Sequence, residues 1–166
     1  MIVVSDTSIL SGLAIVGHLH LLQQLYEQVL IPPAVADELR RGGEDDQQIL
    51  LALAPEWIEI RQPSDRILIE ALQNEQNLDR GESEAISLAL ELKVDELLID
   101  ERIGRREAAR LGLSVTGLLG ILLLAKRRGL VVAVQPIVDS LIVDANFWVS
   151  DRLYISLLRA AAEDND

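Results

Sequence analysis

The sequence contains no cysteine and only two histidines, His18 and His20. Without cysteine, disulfide bonds and thiolate metal sites are excluded, and the composition fits a reducing compartment. Two histidines also argue against a histidine-based zinc site. Metal chemistry in this chain would therefore rest on oxygen ligands.

Long apolar runs are absent as well. The longest Leu-rich segment, residues 118–125, is about a third of the roughly 20 apolar residues that a membrane span requires. The first residues, Met1 to Asp6, carry no basic stretch ahead of an apolar run, as a signal peptide would. We therefore expect a soluble, cytoplasmic protein that does not enter a membrane.

Basic residues are outnumbered, and the formal net charge is -12. Such a balance ordinarily argues against nucleic-acid binding, because phosphate backbones favour Lys and Arg. The charge is nevertheless uneven, since residues 101–130 hold seven basic and two acidic side chains. A basic segment on an acidic protein leaves room for a local contact with phosphate.

Hydrophobic residues make up 49% of the 166 residues, enough for a sizeable core in one domain. We expect a single domain over residues 1–160 and a disordered tail over residues 161–166. Short apolar runs alternate with segments of helical periodicity, one of which predicts a helix over residues 46–54. The predicted strands lie at residues 2–4, 29–31, 57–60, 97–99 and 113–116. Apolar strands alternating with helices predict an α/β fold, a three-layer α/β/α sandwich with a central parallel sheet.

Two acidic residues, Asp6 and Asp100, each follow a buried strand directly. In an open parallel sheet, ligands bind beyond the carboxyl ends of the strands, so these carboxylates are expected to face one another across a crevice. Like charges at such a spacing favour a cation between them, and oxygen ligands select Mg²⁺ or Mn²⁺. The alternative is that each Asp caps the helix that follows it.

Glutamates on two predicted helices are further candidates. Glu38 follows Pro32 and Pro33, which open a helix. Glu82 occupies the third position of an apparent capping box that begins at Asp79, which gives it a structural reason to be present. Glu84, on the next turn beside apolar residues, has no such reason and is the preferred ligand of the two.

Several segments resemble the PIN-domain family, in particular a poorly characterised branch near the VapC-type toxins of bacterial toxin-antitoxin pairs. They are VVSDTSIL at 3–10, VLIPPAVADEL at 29–39, LDRGESEAISLAL at 78–90, LLIDERIGRREAARLGL at 97–113 and VTGLLGILLLAKRRGL at 115–130. The resemblance implies a PIN-like α/β/α fold, an acidic cluster that binds one or two Mg²⁺ or Mn²⁺ ions, and endonucleolytic cleavage of RNA.

By position, the resemblance implies four catalytic acids, which are Asp6, Glu38, Glu84 and Asp100. Of these, Asp6, Glu84 and Asp100 would bind the metal, and Glu38 would orient water or accept its proton. Ser8 would position Asp6. Two departures from the family pattern leave alternatives open. The third acid is Glu rather than Asp, and the usual Thr-x-Asp is replaced by Ile99-Asp100-Glu101, so that Glu101 is a second candidate for the fourth acid.

The resemblance also implies partners. Arg102, Arg105 and Arg106 begin a basic helix beside Asp100 and are candidates to hold RNA, although the default interpretation is a solvated helix face. A homodimer and a cognate antitoxin are expected.

Two other functions fit parts of the sequence. One is a PIN-like interaction module, inactive or masked, that binds partners through the Leu-rich helix 118–125 and through Phe147, Trp148 and Tyr154, for which the alternative is a place in the core. The other is phosphoryl transfer on an aspartate. The second lacks the further aspartate and the lysine that such phosphatases use.

Overall fold

The computed structural model describes residues 1–164 and contains one sheet of five parallel strands. The strand order is β3-β2-β1-β4-β5, with β1 in the centre. The strands are β1 Ile2–Ser5, β2 Gln28–Ile31, β3 Ile58–Ile60, β4 Glu96–Leu98 and β5 Val115–Thr116. Because all strands are parallel, their carboxyl ends meet at one edge of the sheet, as the sequence predicted.

Helices cover both faces of the sheet. They are α1 Thr7–Ile15, α2 His20–Leu25, α3 Pro33–Asp45, α4 Arg66–Glu75, α5 Arg80–Leu92, α6 Arg102–Arg110, α7 Leu118–Arg127, α8 Gln135–Asp144 and α9 Asp151–Ala160. A 3₁₀ helix, Gln47–Leu53, stands where the periodicity predicted an α-helix. Within residues 1–164, no helix is long and apolar enough to cross a bilayer.

Two hydrophobic cores lie on opposite faces of the sheet. Successive side chains of a strand point to opposite faces. On β1, Val3 packs into the core formed with α1, α3, α7 and α8, whereas Val4 packs into the core formed with α4, α5 and α6. On β4, Leu98 joins the first core and Leu97 the second. This arrangement confirms the predicted three-layer α/β/α sandwich.

The predicted capping box at the start of α5 is confirmed. The carboxylate of Asp79 accepts a hydrogen bond from the backbone N–H of Glu82 at 2.8 Å, and Glu82 Oε2 accepts one from the N–H of Asp79 at 3.3 Å. The box satisfies two groups that the first turn of a helix would otherwise leave without partners. The box therefore fixes the first turn of α5, the helix that packs against β1.

The chain after α9 is packed through residue 163, in contrast to the disordered tail expected from residue 161. Ala161 is buried in the core. Glu163 accepts hydrogen bonds from Lys126 Nζ at 2.8 Å and from the backbone N–H groups of Val134 and Gln135 at 2.7 and 2.9 Å. The carboxylate of Glu163 thereby caps the start of α8. Residues 165 and 166 lie outside the described part of the chain.

Candidate active site

Asp6 lies at the carboxyl end of β1 and is only 5% exposed. Its backbone N–H donates to the carbonyl of Leu98 on β4 at 2.8 Å. Asp6 precedes α1 at the capping position, but its side chain makes no capping hydrogen bond there. Burial, together with the nearby charges of Glu82, Glu38 and Asp79, raises the pKa of this carboxyl from 3.8 to about 8. The structure therefore does not support the capping alternative for Asp6.

Glu38 reaches the same place from α3. It is half-buried, and its carboxylate lies against the backbone of α5 at Gly81. A Cβ at position 81 would stand 2.2 Å from Glu38 Oε1, so only glycine leaves room for this approach. Burial and the charge of Asp79 raise the pKa of Glu38 above its usual range.

Glu82 is the third carboxylate of this group. It is 9% exposed, and burial together with the charge of Asp79 raises its pKa from 4.5 to about 7. Smaller contributions come from Glu101 and Glu38. Glu82 thus has both the capping role that the sequence assigned to it and a place among the acids that surround Asp6.

These residues form what we call the acidic cluster, which comprises Asp6, Glu38, Asp79, Glu82 and Glu101. Each is linked to at least one other member by a charge effect on pKa. It stands on the face of the sheet that α5 covers, beyond the carboxyl ends of β1 and β4. Repulsion within it favours either proton uptake or a bound cation.

Asp100 lies at the same edge of the sheet but on the opposite face. Ser5 pairs with Leu98, and Ile99 continues the ladder by donating to Thr116. With alternation along the strand, Asp100 falls on the face of Leu98, and Glu101 falls on the face of Ile99 and Asp6.

The contacts of the two residues agree with this alternation. Asp100 Oδ1 accepts from the N–H of Leu118 at 3.2 Å, and Glu101 accepts from the N–H of Gly104 at 2.7 Å. Burial raises the pKa of Asp100, against the effects of Leu118 and of the Arg105 charge. By this alternation Glu101, not Asp100, lies on the face of the sheet that carries Asp6, and its charge acts on Glu82.

Glu84 faces away from the acidic cluster. Its Oε1 accepts from the backbone N–H of Ala34 at 3.1 Å, and its Oε2 accepts from Arg80 Nε at 2.9 Å. Residues two apart on a helix do not face the same way, so Glu82 and Glu84 cannot both reach Asp6. The N–H of Ala34 belongs to the first turn of α3, where Pro32 supplies no side-chain cap. Glu84 therefore fixes the start of the helix that carries Glu38.

The remaining predicted residues lie on the side of Asp100. Ser8 is exposed and, within residues 1–164, no hydrogen bond joins its hydroxyl to Asp6. Arg105 donates to the carbonyl of Ile99 at 3.2 Å, while Arg102 and Arg106 are exposed. Ser8, Arg102 and Arg105 line a groove of about 940 Å³ beside Asp100. Arg106 does not line it.

The acidic cluster has the ligand atoms that a divalent cation prefers, but its side chains are not arranged around a metal position. Its donors are carboxylate oxygens alone, which suit Mg²⁺ or Mn²⁺, and burial together with mutual repulsion makes their ionised form costly without a cation. Among residues 1–164, however, no three His, Asp or Glu side chains are arranged to hold a metal ion. Side-chain rotation within the cluster would be required for binding.

From the sequence, Glu84 is a better candidate metal ligand than Glu82, and Glu101 is only an alternative to Asp100 as the fourth acid. The signal for Glu101 was present, since alternation along the strand from Leu97 through Ile99 leads to Glu101 on the face of α5. No comparable local signal selected Glu82. Its orientation depends on where β1 and α3 lie relative to α5.

A family model described as a PIN domain matches residues 2–163. The chain therefore belongs to the PIN-domain family, which confirms the resemblance found in the sequence. Members of this family are generally nucleases and typically bind divalent metals. No curated protein and no solved structure shows significant similarity to the chain.

Proposed function

We propose that this PIN domain is a metal-dependent endoribonuclease whose active site is the acidic cluster. The observation that carries the proposal is the convergence of Asp6, Glu38 and Glu82 at the carboxyl edge of the sheet, where the pKa of Asp6 is raised to about 8 and that of Glu82 to about 7. Strongly perturbed carboxyl groups at the ligand-binding edge of an α/β sheet are typical of functional sites.

In this scheme, Asp6 and Glu82 hold Mg²⁺ or Mn²⁺, and Glu101 completes the ligand set. This set differs from the metal ligands expected from the sequence, which were Asp6, Glu84 and Asp100. When bound, the ion neutralises charge on the scissile phosphate and makes water a better nucleophile at neutral pH.

The reaction hydrolyses one phosphodiester bond. A water oxygen forms a bond to phosphorus as the bond from phosphorus to the leaving sugar oxygen breaks, so one fragment keeps the phosphate and the other a hydroxyl. Glu38 accepts the proton of the attacking water, because burial raises its pKa toward the working pH. Glu84 acts indirectly, through its hydrogen bond to Ala34 at the start of α3.

The test is cleavage of a mixed panel of single-stranded and structured RNAs with Mg²⁺, Mn²⁺ or EDTA. We expect cleavage with either ion, none with EDTA, and a loss of at least about 100-fold in Asp6→Asn and Glu38→Gln. Glu44→Gln, an exposed change on the same helix as Glu38, is the matched control and should retain full activity. Cleavage in EDTA, or full activity in Asp6→Asn, would refute the proposal.

The toxin role is a narrower part of the proposal, and it rests on the resemblance to VapC-type proteins. Expression of the chain alone should arrest growth through RNA cleavage, and Asp6→Asn should relieve the arrest. A cognate antitoxin should be encoded next to the chain and should co-purify with it. A homodimer is proposed on the same basis, with light scattering as its test.

A catalytically inactive interaction module is the second candidate. It is favoured by the finding that, in residues 1–164, no three acidic or histidine side chains are arranged to hold a metal ion. Titration calorimetry with Mn²⁺ separates the two functions. Binding that Asp6→Asn abolishes supports the nuclease, and the absence of binding by the wild-type protein supports the module.

A further inference from the structure

The groove beside Asp100 is separate from the acidic cluster but adjoins it. It lies between α1, the start of α6, the start of α7 and the segment 145–148, and it encloses about 940 Å³. Glu101 lines this groove and also raises the pKa of Glu82 in the acidic cluster. A molecule in the groove would therefore lie next to the proposed cleavage site.

Trp148 projects from the rim of this groove. Its side chain is 82% exposed, which is unusual for the largest apolar residue. The backbone around it is fixed. Asn146 adopts a left-handed conformation, with a φ of 54°, and the N–H of Phe147 donates to the carbonyl of Leu141 at 3.0 Å. Phe147 packs against the core, so the segment is anchored and Trp148 is held outward.

The groove also presents positive charge at the end near the acidic cluster. Arg102 and Arg105 both line it. Within residues 1–164, no carboxylate lies within 4 Å of the Arg102 guanidinium, whereas Arg105 donates to the carbonyl of Ile99 and its charge acts on Asp100. The groove thus offers the guanidinium of Arg102 at one end and an exposed aromatic ring at its rim.

We propose that this groove binds single-stranded RNA next to the scissile phosphate, with an unpaired base stacked on Trp148 and the adjoining backbone phosphate held by Arg102 and Arg105. A nucleotide is the ligand that combines a flat apolar ring with a negative charge at short range. The inference rests on the proposed function, and it names Trp148 as a residue that selects single-stranded over duplex substrate.

The experiment measures RNA binding without cleavage. The Asp6→Asn protein is titrated, in EDTA, into a fluorescein-labelled single-stranded RNA and into the same RNA annealed to its complement. We expect the single strand to bind more tightly, because the bases of a duplex are already stacked. Trp148→Ala should weaken single-strand binding about tenfold or more, and Trp148→Phe should restore most of it.

The controls are chosen by exposure and charge. Ile67→Ala removes an 84% exposed apolar side chain from α4, outside the groove, and should change nothing. Arg102→Ala should weaken binding. It should also reduce the steepness of the plot of log affinity against log salt concentration by about 1, the change expected when one phosphate contact is lost. The Tm of Trp148→Ala should match that of the parent, since the side chain is exposed.

Equal affinity of Trp148→Ala and its parent for the single strand would overturn the inference, as would equal affinity for duplex and single strand. The inference would also be overturned if RNA binding did not depend on Trp148 and a co-purifying protein were lost from Trp148→Ala. The groove would then be a protein interface. Binding that requires Trp148 supports the inference even where the wild-type protein cleaves no RNA. That combination would refute the proposed hydrolysis alone, because binding is measured without metal.

Discussion

The backbone N–H of Asp6 donates to the carbonyl of Leu98 at 2.8 Å and extends the ladder between the central strand and its neighbour by one residue. This bond sets the register in which Asp6 shares a face of the sheet with Glu101, while Asp100 turns to the other face. A shift of one residue would exchange the two acids, because side chains alternate along a strand. The composition of the acidic cluster therefore depends on one strand register.

The metal-free protein should lose stability as the pH rises toward 8. The folded state holds the proton of Asp6 more tightly than the unfolded chain does, since its pKa is raised from 3.8 to about 8. This contribution is complete below a pH of about 4 and is lost as the pH rises through about 8. Asp6→Asn removes the cost of burying this charge beside other acids, so its free energy of unfolding should exceed that of the wild-type protein at pH 8.

Urea denaturation in EDTA at several pH values, with the wild-type protein and Asp6→Asn side by side, measures this difference. Saturating Mn²⁺ should restore the stability of the wild-type protein at pH 8 and leave Asp6→Asn nearly unchanged. Identical pH profiles for the two proteins would show that Asp6 is not held in a repulsive site.

Substitution by Gln should have different effects on Mn²⁺ affinity at Glu82 and at Glu84. Glu82→Gln keeps the capping box, because Gln serves at that position, but it removes a charge from the acidic cluster. We expect an affinity for Mn²⁺ lowered about tenfold or more, which titration calorimetry measures.

Glu84→Gln is the matched control for this change. It retains an acceptor for the N–H of Ala34 and loses only the pairing with Arg80, a half-exposed side chain. Stability should fall by no more than about 1 kcal/mol, with Mn²⁺ affinity unchanged. An equal loss of affinity in both variants would restore Glu84 as a ligand.

Gly81→Ala should reduce activity with little effect on stability. A methyl group at position 81 would occupy the place of Glu38 Oε1, and the flexible end of that side chain would move away. Alanine favours the helix, so the free energy of unfolding should stay within about 1 kcal/mol of the wild-type value. RNA cleavage should fall toward the level of Glu38→Gln.

Gly42→Ala, on α3, is a comparison for this helix effect, because the new methyl group would meet only the side chain of Ile49. Its cleavage rate should be that of the wild-type protein. Full activity in Gly81→Ala would mean that the observed position of Glu38 is not required.

Glu163 should stabilise the fold although only three residues follow it in the sequence. Its carboxylate accepts from Lys126 and from the backbone N–H groups of Val134 and Gln135 at the start of α8. Glu163→Ala leaves those donors unpaired and should lower the free energy of unfolding by about 1–2 kcal/mol. Asp164→Ala, an exposed neighbour, should change it little, and equal effects of the two in urea denaturation would argue against a specific role.

Much of the fold was readable from the sequence because its signals are local. Apolar runs such as Ile2 to Val4 predicted buried strands, and the pair Asp79 and Glu82 predicted the start of α5, both of which the structure confirms. The exception among the elements, the 3₁₀ helix Gln47–Leu53, has the apolar periodicity of an α-helix in a segment too short to decide between the two.

The sequence by itself determined the α/β/α architecture, the restriction of any metal site to oxygen ligands, and the placement of acids at the carboxyl edge of the sheet. Only the tertiary structure decided that Glu82 faces Asp6 while Glu84 caps α3, and that Glu101 joins the acidic cluster while Asp100 borders the groove. The physical reason is that periodicity is set by near neighbours in the chain. The direction in which a carboxylate points is set instead by strand register and helix packing between residues far apart in sequence.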